Sequence, residues 1–148
     1  DSLKFHTLRK NRVVYGGGGI MPDYFVPLDT MRFTTFHRKL MAKGIVLDND
    51  LKFMDSHRKQ LKAKYPQFSA YLEHFTVPQQ LVDSIISDGK KQKIEPKDKA
   101  ELDRTLVYLR AQLKALIARD IWDMSQYFQV MNQQSDIVTK ALEVINRP

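Results

Sequence analysis

The sequence predicts a mainly α-helical protein, in which a short N-terminal β segment is followed by a bundle of five to seven helices. Two observations support this fold class. Four of the six glycines and two of the six prolines fall within the first 30 of the 148 residues, which open on an alternation of apolar and polar residues. From residue 33 onward the apolar residues recur every three or four positions, the period of an amphipathic helix. We therefore divide the chain into a β segment at residues 1–32 and a helical region at residues 33–148.

The β segment is predicted from three extended pieces. Residues 3–7 alternate with the strand period of two, and residues 12–15 form a short β-branched and aromatic run. Between them, Asn11 suits a tight turn because asparagine tolerates left-handed backbone geometry. Residues 24–28 form a third piece after the glycine run. The predicted order is strand, turn, strand, glycine loop, strand.

Apolar stripes predict the helices that follow. The first helix ends near Gly44, which is a plausible stop signal. The second helix carries a stripe of residues spaced by four and three: Leu47, Leu51, Met54, Arg58, Leu61 and Tyr65. A short helix is predicted at residues 68–75, and Pro78 occupies the first position of another helix. A polar, charged break is predicted at residues 88–99.

The strongest helix signal begins at Pro96. Five leucines recur at alternating spacings of four and three: Leu102, Leu106, Leu109, Leu113 and Leu116. Two heptads are too few for a stable coiled coil, so we interpret this segment as a core helix of the bundle. A short helix is expected at residues 127–131. Ser135 is a candidate N-cap for a last helix, whose stripe comprises Val138, Ala141, Leu142 and Ile145.

Composition excludes several classes of protein. The chain has no cysteine, which excludes a disulfide scaffold, a thiolate zinc site and a cysteine nucleophile. It has no run of 18 apolar residues, so no transmembrane helix is predicted. The net charge of +7 is weighted to residues 1–47, which hold eight Lys/Arg and three Asp/Glu. Because this charge is dispersed, we expect no specific nucleic-acid binding.

No catalytic, cofactor-binding or metal-binding residue is predicted. The glycine run lacks the following Lys-Ser/Thr and helix of a phosphate loop, so we interpret it as a turn that needs positive φ or close chain approach. Two Ser-x-x-Lys tetrads begin at Ser56 and Ser87, in polar surroundings that would not lower a lysine pKa. The four histidines lack metal-ligand spacing. Asp48-x-Asp50 starts like a calcium loop, but a lysine follows at the next ligand position.

Residues 4–30 resemble part of a known peptidase family. They comprise a predicted strand, a turn at Asn11, a second strand, a glycine run, and then Gly-Ile-Met-Pro-Asp before an extended piece. This order resembles the closing segment of the catalytic core in the C-terminal processing (tail-specific) serine peptidases, although Asn11 replaces the glycine of the family's usual Gly-Arg. The residues that carry the motif are Gly16, Gly17, Gly18, Gly19, Ile20, Pro22 and Asp23.

The helical region resembles the C-terminal extension of longer bacterial members of the same family. The similarity lies in the Lys-Ala-Leu-Ile-Ala-Arg-x-Ile-Trp pattern at residues 114–122 and in residues 136–145.

The resemblance implies that the chain is a non-catalytic C-terminal fragment of a serine endopeptidase. In that family the serine nucleophile, the lysine base and a peptide-binding PDZ domain precede the glycine run, so we expect all three to lie upstream of this chain. The parent would hydrolyse peptide bonds in protein or peptide substrates, without a cofactor, in the periplasm or cell envelope. The helical tail would be structural or regulatory.

The resemblance leaves the β segment as a piece of a larger sheet. We expect its apolar residues to be exposed or to pack on the helices, and its free edges to favour strand exchange and a homo-oligomer. The alternative is an independent helical module that binds protein or nucleic acid through its basic faces.

Overall fold

Seven helices and one antiparallel hairpin make up the described part of the chain. The computed structural model describes residues 3–19, 22–29 and 32–147. The strands are β1 (Lys4–His6) and β2 (Val13–Tyr15), and the helices are α1 (Thr35–Ala42), α2 (Ile45–Lys64), α3 (Phe68–His74), α4 (Gln79–Lys91), α5 (Lys99–Ile121), α6 (Met124–Asn132) and α7 (Asp136–Ile145). The predicted mainly α-helical class with a short β segment is confirmed.

Helix α5 lies at the centre of the bundle and is the longest element. Its leucine stripe faces the core as predicted: Leu109, Leu113 and Leu116 are buried, and Leu102 and Leu106 are partly buried. Ile117 extends the same buried face. Helices α1, α2 and α6 pack against α5, and α4 packs on α2. Apolar side chains at this spacing bury one continuous stripe, which is the main source of stability for a helix in a bundle.

Glu101 joins the first turns of α1 and α5. Asp98 caps α5 by accepting a hydrogen bond from the Glu101 amide at 2.7 Å. The Glu101 carboxylate in turn accepts the Phe36 amide at 3.1 Å and the Lys97 amide at 2.8 Å. One side chain therefore satisfies amide groups at the starts of two helices, which would otherwise lack partners.

The predicted stripe of α2 is wrong at its N-terminal half. Leu47 and Leu51 are 37% and 51% exposed, and the buried residues of this half are Ile45, Val46, Asn49, Asp50 and Met54. The helix begins directly after Gly44, whose left-handed φ of 71° sets the direction of α2. That direction turns the row containing Asp50 toward α4 and α5, although the leucine row is the more apolar one.

The charged break predicted at residues 88–99 is wrong over its first four residues, because α4 continues to Lys91. Gly89 is buried inside α4, where a Cβ would lie 2.8 Å from Leu40 Cδ2. The glycine that suggests a break instead allows α4 to approach α1 closely. Pro78 precedes the helix as its N-cap residue rather than occupying its first position.

The third predicted strand, at residues 24–28, does not form. This segment pairs with neither β1 nor β2, which form a sheet of two strands within the described residues. Pro27 has no backbone N–H to donate to a ladder, and a strand needs a neighbouring edge with free hydrogen-bonding groups. Residues 23 and 24 form a bend, and residues 25–28 lie in no strand or helix.

Truncating the centre of α5 tests the core assignment. We expect Leu113→Ala to lower the free energy of unfolding by about 2–5 kcal/mol, because Leu113 is fully buried and its loss leaves a cavity. Val107→Ala on the same helix, at a residue that is 67% exposed, is the matched control and should change stability by less than about 0.5 kcal/mol. Urea unfolding followed by the fluorescence of Trp122 measures both, and equal effects would contradict the assignment.

Candidate docking surface

Hydrogen bonds across the turn between β1 and β2 stabilise the hairpin. Phe5 pairs with Val14 in an antiparallel register. The Thr7 amide donates to the Arg12 carbonyl at 2.9 Å, and the Arg12 amide donates to Thr7 Oγ1 at 3.0 Å. Asn11 has the left-handed φ of 48° expected for this turn. The sequence prediction of a strand–turn–strand unit at this position is confirmed.

The glycine run forms the exit of the hairpin. The Gly16 amide donates to the Leu3 carbonyl at 2.7 Å, and a Cβ at Gly16 would lie 2.8 Å from Phe5 Cε2. Gly17 has a φ of +98°, a conformation that residues with a Cβ rarely adopt. The interpretation of the run as a turn with positive φ and close chain approach is confirmed. Of the motif residues, Ile20 lies outside the described residues.

Two contacts link the hairpin, the segment 22–29 and α7. Arg12 in the hairpin turn forms an ion pair with Asp23, and this guanidinium holds the pKa of the Asp23 carboxyl below its usual value. The neighbouring Tyr24 accepts a hydrogen bond from Arg147 at 3.5 Å, just after α7, and the same guanidinium lies 5.6 Å from the Tyr24 ring centroid. The N-terminal and C-terminal parts of the chain are therefore joined side by side.

Helix α7 presents an apolar face that the bundle does not cover. Six of its ten residues are apolar, yet none is buried. Tyr24 and Val26 line a cleft of about 300 Å³ with Ile137 and Ala141 of α7. Nearby, Arg32 pairs with Asp136 at the first turn of α7, with 3.5 Å between the charged groups. The segment 22–29 thus covers one side of α7 and leaves the other side exposed.

The exposed apolar residues of these three parts form what we call the docking surface. They are Leu3, Phe5, Leu8, Val13, Val14 and Tyr15 of the hairpin, Tyr24, Phe25 and Leu28 of the segment, and Ile137, Leu142 and Ile145 of α7. Phe25 is 81% exposed and Ile145 is 76% exposed. Strand alternation places Phe5 and Val14 on one face of the hairpin and Val13 and Tyr15 on the other, so the docking surface is a set of exposed residues on three linked parts rather than one flat face. Single exposed apolar residues are ordinary, but such a concentration of aromatic and branched residues is typical of a binding interface. The expectation that the apolar residues of the β segment would be exposed or pack on the helices is confirmed for the described ones, with Val26 packed against α7.

A second concave surface, at the start of α1, is cationic. It is a cleft of about 360 Å³ lined by Arg38, Lys39, Lys97 and Arg104. Among the described residues, Lys39 and Arg104 have no ion-pair partner. The Glu101 carboxylate at the base of the cleft accepts two backbone amides. Four basic side chains share the lining with the carboxylates of Glu95 and Glu101, so the cleft carries a net positive charge.

The residues tested for chemistry in the sequence lie apart from the docking surface. Ser56 donates to the Lys52 carbonyl at 3.3 Å, within its own helix. Ser87 and Lys90 are exposed near the end of α4. Within residues 3–19, 22–29 and 32–147, no three His, Asp or Glu side chains are grouped so that they could hold a metal ion. Over the same ranges, no helix is both long enough and apolar enough to cross a membrane.

His37 and a pair of buried carboxyls are polar features of the core that sequence reasoning missed. His37 is buried, bonds to Gln112 Oε1 at 2.8 Å through Nε2, and leaves Nδ1 without a partner. Burial lowers the pKa of His37. Asp50 is completely buried and interacts with the carboxyl of Asp120. The available signal for Asp50 was its place four residues from both Val46 and Met54, on one row of α2.

The helical region matches the model of a family of unknown function, DUF8443, over residues 36–123. The match covers more than half of the chain, which therefore belongs to this family. No curated protein and no solved structure matches the chain. The matched residues contain the bundle core from α1 to α5, whereas the whole docking surface lies outside them.

The exposed apolar residues of the docking surface should contribute to the binding of an apolar dye but not to the stability of the chain. We expect the double variant Phe25→Ser/Leu28→Ser to change the free energy of unfolding by less than about 0.5 kcal/mol per residue, because both side chains are already exposed. The same variant should lower the binding of the dye ANS, which reports exposed apolar patches. Val107→Ser, an exposed apolar position on α5, is the control and should leave dye binding unchanged. A large loss of stability in the double variant would show that these residues belong to the core.

Proposed function

We propose that this member of the DUF8443 family is the non-catalytic C-terminal part of a C-terminal processing serine peptidase. In this proposal the docking surface joins the helical bundle to the sheet of the catalytic core. The peptide-bond hydrolysis belongs to a serine and a lysine upstream of residue 1. The helical region has a structural or regulatory role, and the parent acts on protein or peptide substrates in the periplasm or cell envelope.

The observation that carries the proposal is the incomplete hairpin. Its strands have three residues each and bury none of them. A two-stranded sheet is marginal in water on its own, and its outer edges carry free N–H and C=O groups. A neighbouring sheet would pair these edges and cover the apolar face. This is the situation expected for a terminal hairpin of a larger core, as the resemblance of residues 4–30 implies.

The residues that follow the hairpin support the same proposal. The Gly16 amide continues the pairing with β1 at Leu3, and residues 24–28, which follow the glycine run, lie in no strand. An apolar segment outside the two-stranded sheet is consistent with a final strand whose sheet belongs to the rest of the parent. The resemblance predicts a strand at this position, after Gly-Ile-x-Pro-Asp.

The position of α7 suggests how the helical region could brace such a core. Arg147 and Asp136 tether α7 to Tyr24 and Arg32, at either end of the segment 22–29. Any sheet that incorporated this segment would meet the uncovered side of α7 next to it. The apolar face of α7 would then be buried, which is worth about 25 cal/mol per Å² of apolar area removed from water.

The first test is the size and activity of the natural protein. An antibody raised against the helical region should detect, in source cells, a protein well above the 17.3 kDa of this chain. The immunoprecipitated protein should hydrolyse a peptide substrate. Replacing the upstream serine of that protein with alanine should abolish hydrolysis. A natural protein of 17.3 kDa with no attached peptidase would overturn the proposal.

The second test compares one pair of substitutions in two contexts. In the longer protein, Phe25→Ser/Leu28→Ser should lower the midpoint of thermal unfolding and the peptidase activity, because these side chains would be buried against the core. In the chain alone the same pair should have little effect. Val107→Ser should be neutral in both contexts. Equal insensitivity of both proteins to the pair would contradict docking through this surface.

Two other outcomes remain informative. Strand exchange through the free edges of β1 and β2 would give a homo-oligomer of the isolated chain but not of the longer protein. The alternative function, an independent binding module, is favoured by the cationic cleft at Lys39 and Arg104. Salt-sensitive binding of an acidic protein by a natural 17.3 kDa chain, lost in Lys39→Gln/Arg104→Gln, would support that alternative instead.

A further inference from the structure

We propose that Asp50 and Asp120 form a proton-sharing carboxyl pair that locks α2 to the C-terminal end of α5, and that loss of the shared proton loosens this corner of the bundle. The pair lies inside the bundle core, away from the docking surface. The inference is therefore independent of the peptidase proposal.

The first observation is that Asp50 is buried without any donor. Its exposure is 0%, and neither Oδ1 nor Oδ2 has a hydrogen-bond partner. Asp120 Oδ2 is also buried and without a partner. An ionised carboxylate in such a site would lose its hydration without compensation, which is strongly unfavourable. A proton on Asp50, donated to Asp120 Oδ2, satisfies oxygens of both groups at once.

The second observation is that the neighbouring cations are engaged elsewhere. Arg58 donates from Nη1 to the backbone carbonyl of Asp120. Arg119 donates from Nε to Asp120 Oδ1 at 2.8 Å. Neither guanidinium forms an ion pair with Asp50 within the described residues. The arginines lower the pKa of Asp50, but they do not replace the missing hydrogen bond.

The remaining polar groups around Asp50 do not donate a hydrogen bond to it either, because they bond to other partners. From α3, the Tyr71 hydroxyl donates to the Lys114 carbonyl at 2.7 Å. From α4, Asp88 accepts hydrogen bonds from Asn49 at 3.1 Å and from Lys91 at 2.8 Å. Asp120 is thus left as the polar partner of Asp50. Burial, followed by the charge of Asp120, raises the pKa of Asp50 to about 7.

The shared proton has a defined effect on stability. In the unfolded chain an aspartate loses its proton near pH 3.9, whereas folded Asp50 keeps it until about pH 7. The contribution to stability is therefore fully present below the unfolded value and is lost as pH rises through the folded value. Above neutral pH two carboxylates face each other in the core. Their repulsion acts on the end of α5, next to Trp122.

Carboxyl titration of the full chain tests the pair directly. We expect the side-chain ¹³C resonance of Asp50 to titrate with a midpoint near pH 7. In Asp120→Asn the midpoint should fall, because the neighbouring negative charge that raises the pKa is removed. A midpoint below pH 5 in the wild-type chain would overturn the proposal. An unchanged midpoint in Asp120→Asn would show a solitary buried acid rather than a pair.

Unfolding of Asp50→Asn tests the lock. Asparagine keeps the size of the side chain and a donor toward Asp120, but it does not titrate. Between pH 5 and pH 8 the urea midpoint of the wild-type chain should fall by about 1 M relative to that of Asp50→Asn. Comparing the two proteins cancels the opposite contribution of His37, which is present above its unfolded pKa and is lost on acidification.

Asp55→Asn, on an exposed position of the same helix, is the control variant and should keep the wild-type pH dependence. The single tryptophan lies two residues beyond Asp120, so its fluorescence reports the corner in question. If Asp50→Asn has the same pH dependence as the wild-type chain, the lock does not exist. If Asp50→Asn does not fold, the carboxyl titration of the wild-type chain still decides.

Discussion

The structure depends on the burial of α5 by the helices that surround it. Leu109, Leu113 and Ile117 have no exposed surface, and α1, α2 and α6 each pack directly on this helix. A single helix cannot bury such a stripe by itself, so its sequence requires neighbours. The capping role of Glu101 follows from the same constraint. The start of α1 has to lie close enough to α5 for one carboxylate to reach amide groups of both helices.

How much the sequence could predict depended on whether a signal was local or tertiary. The leucine spacing of α5, the Ser135 cap of α7 and the Asn11 turn are local, and each was predicted correctly. The row of α2 that is buried depends on the direction in which α2 leaves Gly44, which no local pattern contains. Apolarity alone therefore favoured Leu47 and Leu51. Gly89 was misleading for a similar reason, because its value lies in the close approach of Leu40 rather than in ending a helix.

The candidate surface could be predicted only in part. Alternation in residues 3–7 and the Asn11 turn predicted the hairpin, and the family resemblance led us to expect its apolar residues to be exposed or to pack on the helices; both features are present. The third strand at 24–28 was wrong, because this segment pairs with neither outer edge of the hairpin within the described residues. The contribution of α7 could not be foreseen either. Its link to Tyr24 joins residues more than 120 positions apart, and a helical stripe does not reveal whether the bundle will cover it.

Two polar side chains, His37 and Asp50, are buried in the core because of where α1 and α2 place them, although neither side chain is apolar. His37 and Asp50 are both buried with an unpartnered atom, and burial shifts the pKa of each toward its neutral form. The shifts are opposite in direction, so acid destabilises the core through His37 and alkali destabilises it through Asp50. The contribution of Asp50 is complete only below the pKa of an unfolded aspartate, about 3.9, and that of His37 only above the pKa of an unfolded histidine, about 6.5. The two contributions are therefore never complete at the same pH, and between these values a gain from one is offset by a loss from the other. A core in which both sites were leucine would have neither dependence on pH. The two side chains affect different contacts of α5. Protonation of His37 acts on the contact between α1 and α5, whereas the protonation state of Asp50 acts on the end of α5 that precedes Trp122 and α6. Protonation thus acts on α5 at two separate places, near Gln112 through His37 of α1 and at Asp120 through Asp50 of α2.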